Sequence, residues 1–130
     1  MNWRRIFLSG AAACLAGCLT VEKADLPGSE PGKHVMVRNF GKYLFDCVPL
    51  CCGNINENPK CDFVMFRNDV TMDKVQHRFV AECNKIGGEV TDVAYHSEHD
   101  IFFQLIFWNF SIPIPYILTS REIQITGTVK

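Results

Sequence analysis

Residues 69–86 form the clearest helical pattern in the chain, and that pattern settles what kind of fold the rest must build. Met72, Val75, Phe79, Cys83 and Ile86 recur at spacings of three and four, which places them on one face of an α-helix. Asp73, Lys74, Gln76, Arg78, Glu82 and Lys85 fall mostly on the other face. Asp69 and Thr71 are both capable N-caps, since a short side-chain oxygen can accept from the unpaired amides of the first turn. Gly87 and Gly88 supply the left-handed residue that commonly closes a helix. One amphipathic helix cannot bury its apolar stripe by itself, so it must lie across a sheet.

The remaining sequence supplies that sheet. Residues 34–40 alternate at period two, with Val35, Val37 and Asn39 on one face, and read as a first strand. Gly41 breaks it, and residues 43–45 continue the extended chain after a bend or bulge. Residues 47–68 crowd Pro, Gly, Asn and Asp around four cysteines, the composition of an irregular, stapled loop. Within it, residues 63–66 form either a short strand or a plug for the core. Residues 89–95 read as a strand with Thr91, Val93 and Tyr95 on one face, residues 96–100 as a polar tip, and 101–110 as the returning apolar strand of a hairpin. Pro113 and Pro115 forbid an uninterrupted helix after it. Residues 117–119 are extended, and 121–129 form a strand with Ile123, Ile125 and Val129 inward and a bulge at Gly127. The fold class is α+β: one main helix on a mostly antiparallel sheet of about four strands, plus an N-terminal signal helix. Gln104, Asn109, Ser111, Pro113 and Pro115 argue against reading residues 101–118 as a membrane span. An aromatic patch at Phe102, Phe107, Trp108 or Phe110, if exposed, would mark a partner surface.

Ahead of this domain, Arg4 and Arg5 precede a short apolar run, 6–16, that closes on Leu15-Ala16-Gly17-Cys18. The run is too short to span a bilayer, which takes ~20 apolar residues, and the layout resembles a bacterial lipoprotein signal with its lipobox. The resemblance implies export, cleavage before Cys18 and attachment of lipid, palmitate included, to the Cys18 sulfur. It divides the chain into a signal peptide (1–17), a lipidated N-terminus and flexible tether (18–33) broken by Pro27, Gly28, Pro31 and Gly32, and a small globular α+β domain (34–130). Arg4-Arg5-Ile6-Phe7-Leu8 is also similar to a twin-arginine signal, so the export route stays open. Leu19, rather than Asp, follows Cys18, which by analogy with diderm bacteria permits transport to the outer membrane, facing the periplasm.

Removing Arg4 and Arg5 takes 13 basic residues to 11, against 14 acidic ones, so nothing attracts nucleic acid. Seven cysteines in 130 residues suit an oxidising compartment. Cys14 and Cys18 belong to the leader, and Cys83 reads as a buried thiol on the helix. The disulfide candidates are then Cys47, Cys51, Cys52 and Cys61, paired as Cys47–Cys51 with Cys52–Cys61 or in the crossed arrangement. Each bridge would add about 2–3 kcal/mol. His96 and His99, with Glu98 and Asp100, are lesser candidates for a metal, since they converge only if that segment turns helically. No catalytic motif occurs and no cofactor is implied.

The lipobox, the segments Leu44-Phe45, Val48-Pro49-Leu50 and Gly53-Asn54, and the ending Ile123-Gln124-Ile125-Thr126-Gly127-Thr128-Val129-Lys130 together resemble small bacterial lipoproteins, including the TRL-like group. That resemblance implies a non-enzymatic, membrane-anchored envelope protein whose domain meets another envelope protein. The alternative is a metal-binding or thiol-redox envelope stress protein using the cysteines of 47–61.

Overall fold

The computed structural model describes residues 19–26, 32–58, 60–107 and 110–130. Arg4, Arg5, Leu15, Ala16, Gly17 and Cys18 lie outside them. The described chain runs β1 (Leu19–Asp25), β2 (Lys33–Leu44), β3 (Val48–Gly53), β4 (Phe63–Met65), α1 (Met72–Ile86), β5 (Val90–Phe107) and β6 (Phe110–Val129). The strands form one antiparallel sheet in the order β4-β3-β2-β6-β5, with β1 also on β2.

β2 is the spine. Along one edge it pairs with β6 over its full length, from Lys33↔Val129 to Leu44↔Leu118. The other edge is divided in sequence: β1 holds the first part up to Leu19↔Asn39, and β3 takes over from Gly41↔Cys52 to Leu44↔Val48. Because side chains alternate along a strand, Val35 and Val37 share a face with Ile123, Ile125 and Val129. All five are buried beneath Val75, Phe79 and Cys83 of α1. This is the helix-on-sheet core anticipated from periodicity. Thr71 caps α1, its Oγ1 accepting from the Lys74 amide at 3.4 Å, and Gly87, at φ 75°, closes it.

The sheet has more strands than the predicted four. Leu19–Asp25, predicted as part of a tether, is a strand. Its Leu19 and Val21 pack against the core, and Lys23 on the same face reaches Glu82 of α1 at 2.8 Å. An edge strand with one wet face carries few apolar residues, which is why it looked like linker. Val48–Gly53 likewise makes a strand out of the predicted irregular loop, whereas Phe63–Met65 is the short strand allowed for. Gly41 does not end β2. It lies inside the strand where the Cβ of Cys52 comes within 2.8 Å of the place a side chain would start. The irregularity falls one residue later, between Lys42 and Tyr43 against β3.

The predicted hairpin is not formed: residues 101–107, expected to return beside 89–95, continue the same strand, β5, whose partner is β6. Residues 96–100 are mid-strand in β5 and pair with 120–124 of β6, and the pairing continues to Phe107↔Phe110. Their polarity reflects an edge strand exposed to solvent. The bulge expected at Gly127 lies across from it: Thr91↔Thr128 and Ala94↔Thr126 leave Asp92 and Val93 together opposite Gly127, with Asp92 at φ 53°.

Candidate functional site

The end of the sheet at Leu44 concentrates features that the core does not require. The β2–β3 connection is a tight turn closed by the Cys47 amide on the Leu44 carbonyl at 3.2 Å. Its two central residues, Phe45 (φ 51°) and Asp46 (φ 58°), are both left-handed. That pattern suits a hairpin's twist but normally selects Asn or Gly, and a left-handed L-residue costs roughly 1–2 kcal/mol. Phe45 is 60% exposed. Phe66, which follows β4, repeats the arrangement with φ 55° and 70% exposure, its amide held by the Leu50 carbonyl at 3.2 Å. Val48, Met65 and Ile117 are exposed at the same end.

A two-stranded ribbon leaves the sheet here. Among the described residues, β6 ahead of Leu118 pairs with β5 alone, from Phe102↔Pro115 to Phe107↔Phe110. The register slips between Asp100↔Ser120 and Phe102↔Pro115, so the ribbon starts at an irregularity. From 101 to 120 the sequence contains no Asp, Glu, Lys, Arg or His.

Asp46, beside this surface, is paired. Asp46 receives His99 Nε2 at 2.8 Å, Arg121 Nη2 at 3.4 Å and the Thr119 hydroxyl at 3.3 Å. The Arg121 guanidinium also lies over the Tyr43 ring, 4.9 Å from its centre. Burial, followed by the neighbouring Cys52, pushes the Tyr43 phenol up to about 12, and its hydroxyl donates to Asn68 Oδ1 at 2.6 Å.

The cysteines do not staple a loop. Cys47 and Cys61 are exposed free thiols, Cys52 is a buried free thiol, and neither expected pairing is formed. Cys51 and Cys52 are consecutive in β3 and therefore point to opposite faces. The Cys52 sulfur instead donates to the Arg67 carbonyl at 2.9 Å and accepts from the Asp69 amide at 3.3 Å. Asp69 completes this knot. Its carboxylate takes Arg67 and Lys74, and its carbonyl accepts from the buried Asn39 side chain at 2.9 Å. Burial pushes the Cys52 and Cys83 thiols up, the opposite of what activates a nucleophilic cysteine.

His96 and His99 are three residues apart on a strand, so they face opposite sides of it. His96 pairs with Glu98 at 2.9 Å and His99 with Asp46. Among the described residues no group of three His, Cys, Asp or Glu converges on a metal position.

At the other end of the sheet α1 leaves part of β5 uncovered. An apolar groove of about 370 Å³ runs there between Met72 and Val80 of the helix and Val90, Val93 and Tyr95 of β5. Of these functional features, only the uncharged run could be read from the sequence. Nothing in it signals that Phe45 and Phe66 take left-handed backbone and stand outward. No family model, curated protein or solved structure matches the chain.

Proposed function

We propose that the chain is a lipid-anchored protein of the bacterial cell envelope, exported behind residues 1–17, acylated on Cys18 and non-catalytic in its folded domain. On the outer membrane of a diderm host it would face the periplasm, and its domain would serve contact with another envelope protein. The observation that carries this reading is the lipobox Leu15-Ala16-Gly17-Cys18 standing directly before Leu19, the first residue of β1. A lipid on Cys18 would then be joined to the sheet without a linker. The apolar lining of the groove between α1 and β5 supports binding rather than chemistry. Against the thiol-redox alternative stands Cys52, whose thiol burial pushes up and whose sulfur donates to the Arg67 carbonyl.

Labelling cells with radioactive palmitate tests the anchor. The parent chain should incorporate label and give an intact mass beginning at an acylated Cys18, and Cys18→Ala should incorporate none. Recovery of the parent with an unmodified Met1 would overturn the reading.

A further inference from the structure

We propose that the Leu44 end of the sheet is itself a bilayer-contacting surface, with Phe45, Phe66 and the β5–β6 ribbon entering one leaflet beside the acyl chains. The orientation rests on the anchor reading; the surface does not.

Three observations converge. First, five of the exposed large apolar side chains, Phe45, Val48, Met65, Phe66 and Ile117, belong to this end. Register places them there: Val48 pairs with Leu44, Met65 with Cys51 opposite Lys42, and Ile117 accepts from the Phe45 amide. Two of the five are aromatic rings held outward by left-handed backbone, a conformation with a cost and no return in core packing. Second, the ribbon beyond them is uncharged from 101 to 120, and Asp46, in the turn beside Phe45, is held by His99 and Arg121. Third, β1 runs from Leu19, opposite Asn39, towards Asp25, opposite Lys33. Its start is therefore its end nearer the ribbon, and a lipid on the preceding residue approaches from that side.

The dimensions favour insertion into a leaflet over spanning. At ~3.3 Å per residue, the stretch 101–107 reaches about 23 Å, enough for the headgroups and one half of a ~30 Å hydrocarbon layer. An open strand edge is unfavourable in hydrocarbon. Pro113 and Pro115, having no amide hydrogen, present fewer donors along β6. Tyr116, in the sequence close to Ile117, is of a residue type that gathers at the membrane–water boundary. A charge-free stretch of this length fits a lipid surface, since ionised side chains are costly in the hydrocarbon layer.

The chain has two tryptophans, Trp3 in the leader and Trp108 between the ends of β5 and β6 in sequence, so the full chain carrying Trp3→Phe has Trp108 as its one reporter. It is purified from bacterial envelopes, its acylation read by intact mass, and it is reconstituted into phosphatidylcholine–phosphatidylglycerol vesicles with or without brominated acyl chains. Brominated lipid should quench Trp108 emission at least twofold and plain lipid should shift it to shorter wavelength. Phe45→Asp with Phe66→Asp, a pair that accepts left-handed backbone more readily, should lose at least half the quenching with circular dichroism unchanged. An acylated parent that is not quenched, or equal quenching in parent and double variant, overturns the proposal. Quenching that the double variant diminishes, in material without acyl chains, upholds the surface and overturns the anchor instead.

Discussion

Gly127 shows how much one missing methyl group can organise. It sits in β6 between Ile125 and Val129, and the tip of the Phe79 ring would lie 2.7 Å from any Cβ placed there. The helix can approach the sheet at this point because nothing projects from it. Gly127→Ala should push Phe79 outward and cost about 1–3 kcal/mol, read as a lower urea midpoint at unchanged slope. The glycine was legible as an interruption of an inward-facing series. That the bulge would fall on Asp92 and Val93 of the neighbouring strand was not, because a bulge belongs to a pair and one strand's sequence does not say which member carries the extra residue. Asn39 and Cys52 show the same limit. Their side chains serve carbonyls of 53, 67 and 69, partners that exist only once the chain has folded back.

Elements with a strong period of their own were readable: α1 with its Thr71 cap and the inward faces of β2 and β6, while the short β4 was one of two alternatives for 63–66. The strands missed, β1 and β3, take their conformation from the free edge of β2. β1 contributes only Leu19 and Val21 to the core and is fastened to α1 by Lys23 on Glu82. β3 reads as loop because Pro49 and Gly53 lie inside it, which the sheet tolerates at a bulged margin. Hydrogen exchange distinguishes a strand from a tether. Amides of 20–24 that bond to β2 should be protected well beyond the rates of an open chain. Lys23→Met should selectively raise exchange in β1 while leaving β6 protected. Unprotected amides throughout 20–24 would restore the tether.

For the molecule as a whole, two buried carboxylates set the response to acid. Burial alone would raise Asp69, but hydrogen bonds from Arg67 and Lys74 outweigh it and its carboxyl is held below the usual range. Burial of Glu82 is likewise outweighed by Lys23 and Lys85, with Arg78 adding to them. A group that binds its proton less tightly when folded lends stability fully above its unfolded pKa, about 4 for carboxylates. That stability disappears as pH falls through the lower folded value. The urea midpoint should accordingly be level above about pH 5 and decline steadily below pH 4. Glu82→Gln should be less stable at pH 7 and show a shallower decline.

The pairing of β1 with β2 also has a mechanical consequence. Traction between the amino end and a load on the far side of the sheet would run along the strand axis, across hydrogen bonds that lie perpendicular to it. All the rungs from 19 to 25 then share the tug at once instead of parting one by one like a zipper. Such a joint yields to peeling far sooner than to sliding, so the direction of pull decides whether the domain holds its shape.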